Sequence, residues 1–280
     1  MWIDMITALW IISASLIGFL ALALLLYLFV FVRPRAGKCP DKRLLCDYAH
    51  RGLHGGQIPE NSLAAFALAA ERGYGMELDV QLSKDGVVMV FHDYTLVRMT
   101  GHSGKLSDLT YKELKELRLK NTDQSIPTLS EVLSLVDGRV PILVELKGES
   151  LNADLCHKTA ELLKDYKGPY CIESFNPLLI RKIQTYLPNA YIGQLYTNVC
   201  HDKKNYSPVH ILLTAMAFNF LAKPDFIAYN KKRRNSLPVK LTTRFYRATP
   251  FVWTVKSDAE LHTAHTLGEY PIFENTERNP

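Results

Sequence analysis

The chain has 280 residues, 48% of them hydrophobic and 22% charged, proportions that suit a folded protein with one large domain and a small additional element. Its net charge of +5 is mild and no nucleic-acid recognition motif accompanies it, which excludes nucleic acid as the expected partner. Five scattered cysteines, Cys39, Cys46, Cys156, Cys171 and Cys200, show neither a zinc spacing nor a disulfide framework and read as free thiols of a reducing compartment.

Met5 to Val32 carries no charged residue and exceeds the roughly 20 residues that cross a bilayer. Trp2, Trp10 and Tyr27 suit membrane interfaces. No basic stretch precedes this run, it is too long for a signal-peptide core, and no small-residue cleavage site closes it, so it reads as a retained transmembrane helix. Asp4 alone precedes it, whereas Arg33, Arg35, Lys38, Lys42 and Arg43 follow, against the single acid Asp41. The positive-inside rule then places the rest of the chain in the cytoplasm. The expected organisation is a single-pass cell-membrane protein with an anchor over 1–33, a basic linker over 34–43 and a barrel domain over 44–280, in which 83–128 form a hairpin and insertion.

Leu44 to Ala49 reads as a short strand ending in His50-Arg51-Gly52. Ser62 to Arg72 has a helical stripe of Leu63, Phe66, Ala67 and Ala70, preceded by Pro59-Glu60-Asn61 as loop and cap. Met76 to Leu82 then alternates, with Glu77, Asp79 and Gln81 on one face and Met76, Leu78, Val80 and Leu82 on the other. Asp85-Gly86 signals a two-residue hairpin turn before the β-rich run Val87 to Phe91. That turn pairs Lys84 with Val87 and sets Asp79 opposite His92, so Glu77, Asp79 and His92 converge on one face. A bulge would shift the register by one residue. Paired carboxylates suit a hard divalent cation, Ca2+ or Mg2+, and a histidine beside them can pass protons. The competing reading is a half-exposed hairpin with solvated acids, and His50-Arg51 upstream weighs against it.

Thr95 to Thr128 is polar, with a short helical pattern at Tyr111 to Leu119, and reads as an insertion. Helix and strand alternate from there on. The helices are expected at Leu129 to Val136, Asn152 to Asp165, Pro177 to Tyr186, His210 to Leu221, Val239 to Tyr246 and Asp258 to Leu267. Strands begin near 45, 76, 141, 170, 191, 225, 251 and 270. Eight strand-helix units, with Val87 to Phe91 set aside as the hairpin return, predict an α/β TIM (β/α)8 barrel. Active sites of that fold lie at the C-terminal strand ends, at or near which His50, Glu77, Asp79, Glu145, Lys147, Glu173 and Trp253 all fall.

An ordered set of motifs now stands out: His50-Arg51-Gly52, Pro59-Glu60-Asn61, Glu77-Leu78-Asp79-Val80, Lys84-Asp85-Gly86, His92-Asp93, the run Ser103 to Thr110, Ile126-Pro127-Thr128-Leu129, Glu145-Leu146-Lys147, Ser174-Phe175 and Trp253-Thr254-Val255. This set resembles the glycerophosphodiester phosphodiesterases over roughly Leu44 to Val255. The resemblance implies a TIM barrel capped by the hairpin and insertion. It also implies hydrolysis of a glycerophosphodiester, or of a lysophospholipid, to sn-glycerol 3-phosphate or a lysophosphatidate and an alcohol. His50 and His92 then look like the general acid/base pair, Glu77, Asp79 and Glu145 like ligands of one divalent metal ion, and Arg51 and Lys147 like the phosphate-holding cations. The nucleophile is either the substrate's own glycerol hydroxyl or water, and the sequence leaves both open.

The chain departs from the family pattern at Lys256, where Asn is usual, at Glu173, where a small residue is common, and over Glu274 to Pro280, where a Thr-Asp-x-Pro turn is usual. Loops His201 to Ser207 and Lys231 to Arg234 also differ. These changes bear on head-group specificity. Trp253 reads either as a stacking surface for glycerol carbons or as a barrel-core aromatic. Lys231-Lys232-Arg233-Arg234 reads either as an attractor of anionic phospholipid or as a solvated loop. His54, His102, His157, His201, His210, His262 and His265 are expected at the surface or in loops. Two other functions compete: a catalytically silent anchored barrel acting as a binding or regulatory module, and a related barrel phospholipase for phosphoinositide or sphingolipid head groups. The oligomeric state is left open.

Overall fold

The structure, a computed structural model, describes residues 2–35, 41–148 and 150–274. Lys38 of the basic linker and the C-terminal run 275–280 lie outside the described residues. The N-terminal helix Trp2–Leu26 continues as a π-helical turn, Tyr27–Phe31. The 27 residues Met5–Phe31, with a mean hydropathy of 2.6 in their most apolar stretch, are long and apolar enough to cross a membrane.

Eight parallel strands close into a barrel. They are β1 (Tyr48–Ala49), β2 (Gly75–Leu82), β4 (Ile142–Leu146), β5 (Tyr170–Ser174), β6 (Tyr191–Tyr196), β7 (Phe226–Asn230), β8 (Thr249–Val255) and β9 (Tyr270–Phe273), with β1 paired to both β2 and β9. The short β3 (Val88–Val90) lies antiparallel to the far half of β2. The alternation of β2 is borne out. Met76, Leu78 and Val80 join the apolar layer under the helices, while Glu77 and Asp79 fall on the alternate positions and face inward. A second core, with Tyr48, Leu143, Cys171, Phe226 and Phe251, fills the lower barrel. Gly193 makes room for it, since a Cβ there would sit 2.1 Å from the Phe226 ring.

Four local expectations are corrected. The hairpin pairs Val80 with Val90, Gln81 with Met89 and Leu82 with Val88, one residue away from the expected register. The loop has three residues, because Ser83 pairs with Val87 (Ser83 N–H to Val87 O, 3.0 Å) and Gly86 takes φ +78°. The Ser83 hydroxyl accepts from the Val87 N–H at 2.8 Å and donates to Asp85 at 2.7 Å, which favours this longer turn. Phe91, not His92, therefore stands against Asp79 (Phe91 N–H to Asp79 O, 2.9 Å).

The strand expected over Leu44 to Ala49 is confined to its last two residues, after a 3-10 turn at Lys42–Leu44. The helix expected over His210 to Leu221 is two helices, Pro208–Thr214 and Asn219–Ala222, separated by a turn with Met216 at φ +51°. The helix expected over Val239 to Tyr246 starts at Leu237 and passes into a π-helical turn, Leu241–Phe245. The insertion, though polar in sequence, has a buried core of its own in Leu96, Met99, Leu106, Leu114, Leu119 and Ile126, packed on Met89 and Phe91.

Candidate active site

The site begins at the turn after β1. Arg51 (φ +57°) and Gly52 (φ +79°) are both left-handed. A side chain at Gly52 would meet the Cβ of Ala65 at 2.8 Å, so glycine lets this turn lie flat on the helix Leu63–Glu71. The turn points the Arg51 N–H at Glu77 Oε2 (2.9 Å). It also sets His50 between two acids, with Nδ1 2.8 Å from Glu274 Oε2 and Nε2 3.9 Å from Glu77 Oε2. The helix behind the turn is capped by Ser62, whose hydroxyl accepts from the Ala65 N–H. Asn61 is thereby free of the expected capping role and donates to Asp79 Oδ2 at 2.9 Å.

Sheet register assembles the acids. Asp79 of β2 is aligned with Glu145 of β4, and Glu145 with Glu173 of β5. Glu77, Asp79 and Glu145 each offer an oxygen, all within 4.8 Å of one another. Lys147 Nζ lies 3.3 Å from Asp79 and 3.0 Å from Glu145, and Arg51 Nε 3.7 Å from Asp79. Asp79 is fully buried and Glu77 and Glu173 are nearly so. Glu173 Oε2 has no hydrogen-bond partner among the described residues.

Electrostatics follow from this crowding. Burial, then Asp79 and Glu145, push the Glu77 carboxyl well above its usual range. Burial likewise raises Glu145 to about 7, against the pull of Lys147. Burial also raises Glu173, with Glu145 and Asp79 adding to it. Burial opposes ionisation of Asp79 as well, but Lys147, His92, Arg51 and the Asn61 hydrogen bond outweigh it and hold that carboxyl below its usual range. Four buried carboxyls thus face two largely buried cations, Arg51 and Lys147. Fully ionised, the set is two positive charges short, the charge of one divalent ion. An all-oxygen cluster of this kind fits a hard cation.

His92 reaches the site from the loop after β3, and not from the ladder as expected. Its Nδ1 is 2.6 Å from Asp93 Oδ1. Arg98 bonds Asp93 at 2.5 and 3.0 Å and Glu60 at 2.9 and 2.7 Å, and Glu60 accepts from Arg51 at 2.7 Å. An unbroken chain of charged contacts therefore runs from His92 to Arg51. Burial lowers the His92 pKa, with Asp79 offsetting part of the effect. Burial opposes the charge on Glu60, yet Arg98 and Arg51 bring it down to about 2.

A cavity of about 110 Å³ opens onto His50, Arg51, Glu77, His92, Glu145, Lys147, Glu173 and Trp253; Asp79 lies beneath that wall. The Trp253 ring meets Phe175 edge-on at 5.6 Å, and its Nε1–H donates to the Ala228 carbonyl at 2.9 Å. A second cavity, of about 550 Å³, shares His50 and Arg51 and is lined further by His54, Gln57, Lys120, Lys256 and Glu274. His54 is therefore a half-buried wall of this cavity, 3.9 Å from Glu274. The basic run departs from the lipid-attracting reading: Lys231 pairs with Glu260, Arg233 with Asp202 and Arg234 with Glu269.

Reasoning from sequence missed the partners of both histidines and the clamp between them. Asp93 and Glu60 lie inside recognisable motifs, Glu60 in the loop ahead of the helix Leu63–Glu71, but neither carries a local signal of its ion-pair partner. Glu274 was noted only as a departure, and Arg98 carried no signal at all.

The model of the glycerophosphoryl diester phosphodiesterase family matches residues 50–276. The chain belongs to this family. It is 38% identical over 159 residues to a glycerophosphodiester phosphodiesterase of Caldanaerobacter subterraneus, a match covering 53% of this chain and 65% of that relative. The chain spans less than two thirds of the length of the first curated relatives it matches (65%, 51% and 36%). Among solved structures, a glycerophosphodiester phosphodiesterase from Thermotoga maritima superposes with a TM-score of 0.64 at 28% identity, covering 82% of this chain and 95% of that one. A phosphodiesterase from Oleispira antarctica, solved with the product sn-glycerol-3-phosphate, shares the fold at a TM-score of 0.67 and 23% identity, covering 83% and 93%.

Proposed function

We propose that this family member hydrolyses glycerophosphodiesters, or lysophospholipids of the same linkage, to sn-glycerol 3-phosphate or a lysophosphatidate and an alcohol. The observation that carries the proposal is the triad Glu77, Asp79 and Glu145, held within 4.8 Å between two cations and two histidines. The family's names and the product in the Oleispira structure point the same way. Glu77, Asp79 and Glu145 would hold one Ca2+ or Mg2+ ion, whose charge, when bound, screens the anionic phosphodiester. Arg51 and Lys147 hold the phosphate oxygens and oppose the charge that builds on them. One histidine takes the proton of the nucleophile, and the other protonates the leaving alkoxide.

In His92, the ionised Asp93 accepts from Nδ1–H, so the neutral ring presents Nε2 as a base. Glu274 orients His50 in the same way. Trp253 offers an apolar wall for the glycerol carbons. A silent barrel is less well supported, because His50, His92, Glu77 and Glu145 line one cavity and Asp79 lies against the two acids.

The decisive experiment is release of sn-glycerol 3-phosphate by the purified chain with Ca2+, Mg2+ or chelator, beside His50→Ala and His92→Ala. Metal-dependent release that falls by about 10²–10⁴-fold in each variant is expected. A folded protein that releases product equally well in chelator would overturn the metal assignment, and one inert toward every substrate would restore the silent barrel.

We also infer that the helix over Met5–Phe31 anchors the enzyme in the cell membrane with the barrel on the cytoplasmic side. Its length and hydropathy support this, as does the excess of basic residues after it. Reporter fusions placed after Pro280 test the orientation, and activity of a periplasmic or extracellular reporter would reverse it.

A further inference from the structure

The last turn of the N-terminal helix is bolted to the barrel. Tyr27 Oη donates to the Ala215 carbonyl at 3.0 Å, Tyr246 Oη donates to the Leu28 carbonyl, and Asn219 Nδ2 donates to the Val32 carbonyl at 2.9 Å. Phe31 meets Phe220 edge-on at 5.4 Å, and Val32 is fully buried. The Arg35 N–H donates to the Pro224 carbonyl at 2.8 Å, and its guanidinium lies 3.3 Å from Asp225. All of these contacts are made by two stretches, 208–225 and 237–248.

The same two stretches leave large apolar side chains in the open. Val209, Ile211, Leu212 and Phe220 are exposed on the first, Leu237 and Phe245 on the second, and Leu237 and Phe245 each keep 62% of their surface. Elsewhere on the described barrel, exposed side chains of this size come one or two at a time, as at Tyr94 and Val97 or Phe175 and Leu178. Scattered ones need no explanation, whereas a group gathered on one flank does. Around it Arg33, Lys223, Arg244 and Arg247 are exposed. The one acid in these stretches, Asp225, is buried against Arg35.

We propose that this flank is a membrane-contact face. Its apolar side chains seat in the interface of an anionic bilayer, its basic residues meet the lipid phosphates, and the bolted helix end fixes the barrel in that pose. The proposal rests on the reading of Met5–Phe31 as a membrane span. A helix so placed brings the flank it is bolted to against the lipid surface. Apolar groups rimmed by Lys and Arg suit that boundary, with the anionic leaflet attracting the charges. The basic run 231–234 does not serve here, because three of its four residues are committed to acids of the barrel.

The test uses the full chain in vesicles of phosphatidylcholine and phosphatidylglycerol with brominated acyl chains. In a Trp2→Phe, Trp10→Phe, Trp253→Phe background, Ile211→Trp and Phe245→Trp report on the face, and Tyr111→Trp in the insertion serves as control. Emission from positions 211 and 245 should fall about twofold relative to non-brominated vesicles, while that from 111 stays unchanged. Adding Arg244→Glu and Arg247→Glu should weaken the quenching at 245.

Alkaline extraction of the same vesicles separates the two readings. If the chain resists extraction yet 211 and 245 are no more quenched than 111, the span stands and the contact face is overturned. Cross-links between copies through 211 or 245 would then give the face to a second copy of the chain. If alkali extracts the chain, the span reading fails and the contact face falls with it.

Discussion

His92 Nδ1 lies 2.6 Å from a carboxylate oxygen of Asp93, the residue that follows it in the chain. His50 repeats the relationship across the barrel with Glu274, at 2.8 Å. Each ring is thereby held at Nδ1 by an acid, which leaves Nε2 for the proton transfer proposed above, in the manner of a base oriented by a third group.

Asp93→Asn should keep an acceptor for Nδ1 and remove the charge. The carboxylate raises the His92 pKa against the lowering effect of burial, so its loss lowers that pKa further. If His92 is the base, the acidic limb of kcat/KM moves to lower pH while the maximum falls by about tenfold or more. A pH–rate profile checks this. A fall in rate with an unmoved limb would mean that Asp93 only shapes the loop.

Glu60→Gln removes the acid that ties Arg51 to Arg98. The folded-state pKa of Glu60 is depressed from 4.5 to about 2, so its stabilising contribution is present above the unfolded value and is lost as pH falls through the folded one. The shift corresponds to at most about 3 kcal/mol at neutral pH. Urea unfolding of wild type and variant should differ by up to that amount at pH 7 and converge toward pH 2. A gap that persists at low pH would point to packing and not to charge.

Glu77→Gln should separate folding from metal binding. Burial and the neighbouring acids raise the Glu77 pKa, so the folded state holds that proton more tightly than the unfolded state does. Metal-free stability is therefore lost as pH rises through the raised value. Without metal at pH 8, the variant should melt no lower than wild type. Wild type should gain about 2.7 kcal/mol at a hundredfold excess of metal over Kd, and the variant much less. Calorimetry with Mg2+, Ca2+ and chelator reads both effects, and an equal gain in the two proteins would remove Glu77 from the ligand set.

The larger cavity predicts head-group preference. Its described lining includes Lys120, Lys256, His54 and Gln57 but no Phe, Tyr or Trp, whereas quaternary ammonium groups are held by cages of those rings. Glycerophosphoglycerol or glycerophosphoinositol should show a higher kcat/KM than glycerophosphocholine. Lys120→Ala should narrow the gap through KM. A preference for choline would place the alcohol elsewhere.

Periodicity carried most of the architecture. The eight strands and the helices Leu129–Val136 and Pro177–Tyr186 follow from apolar spacing, because burial on one face imposes that spacing. The inward acids of β2 were legible for the same reason. The hairpin register was not, since the three-residue turn is held by hydrogen bonds of the Ser83 hydroxyl that no alternation of residues marks. The clamp Asp93–Arg98–Glu60–Arg51 was not legible either: it joins the insertion to the first barrel loop, and no local pattern marks a contact between Arg98 and a residue 38 positions away.

His92 sits between Phe91 and Leu96, which both belong to the separate small core of the insertion. His50 and the acids belong to the barrel. On the function proposed above, turnover requires the insertion core and the barrel core to be folded together, and a smaller core that opened first would leave the larger intact. On warming, turnover should vanish before the far-ultraviolet signal of the barrel changes, and return on cooling. In the cell, such a cap would make the working temperature range of the enzyme narrower than the survival range of its fold.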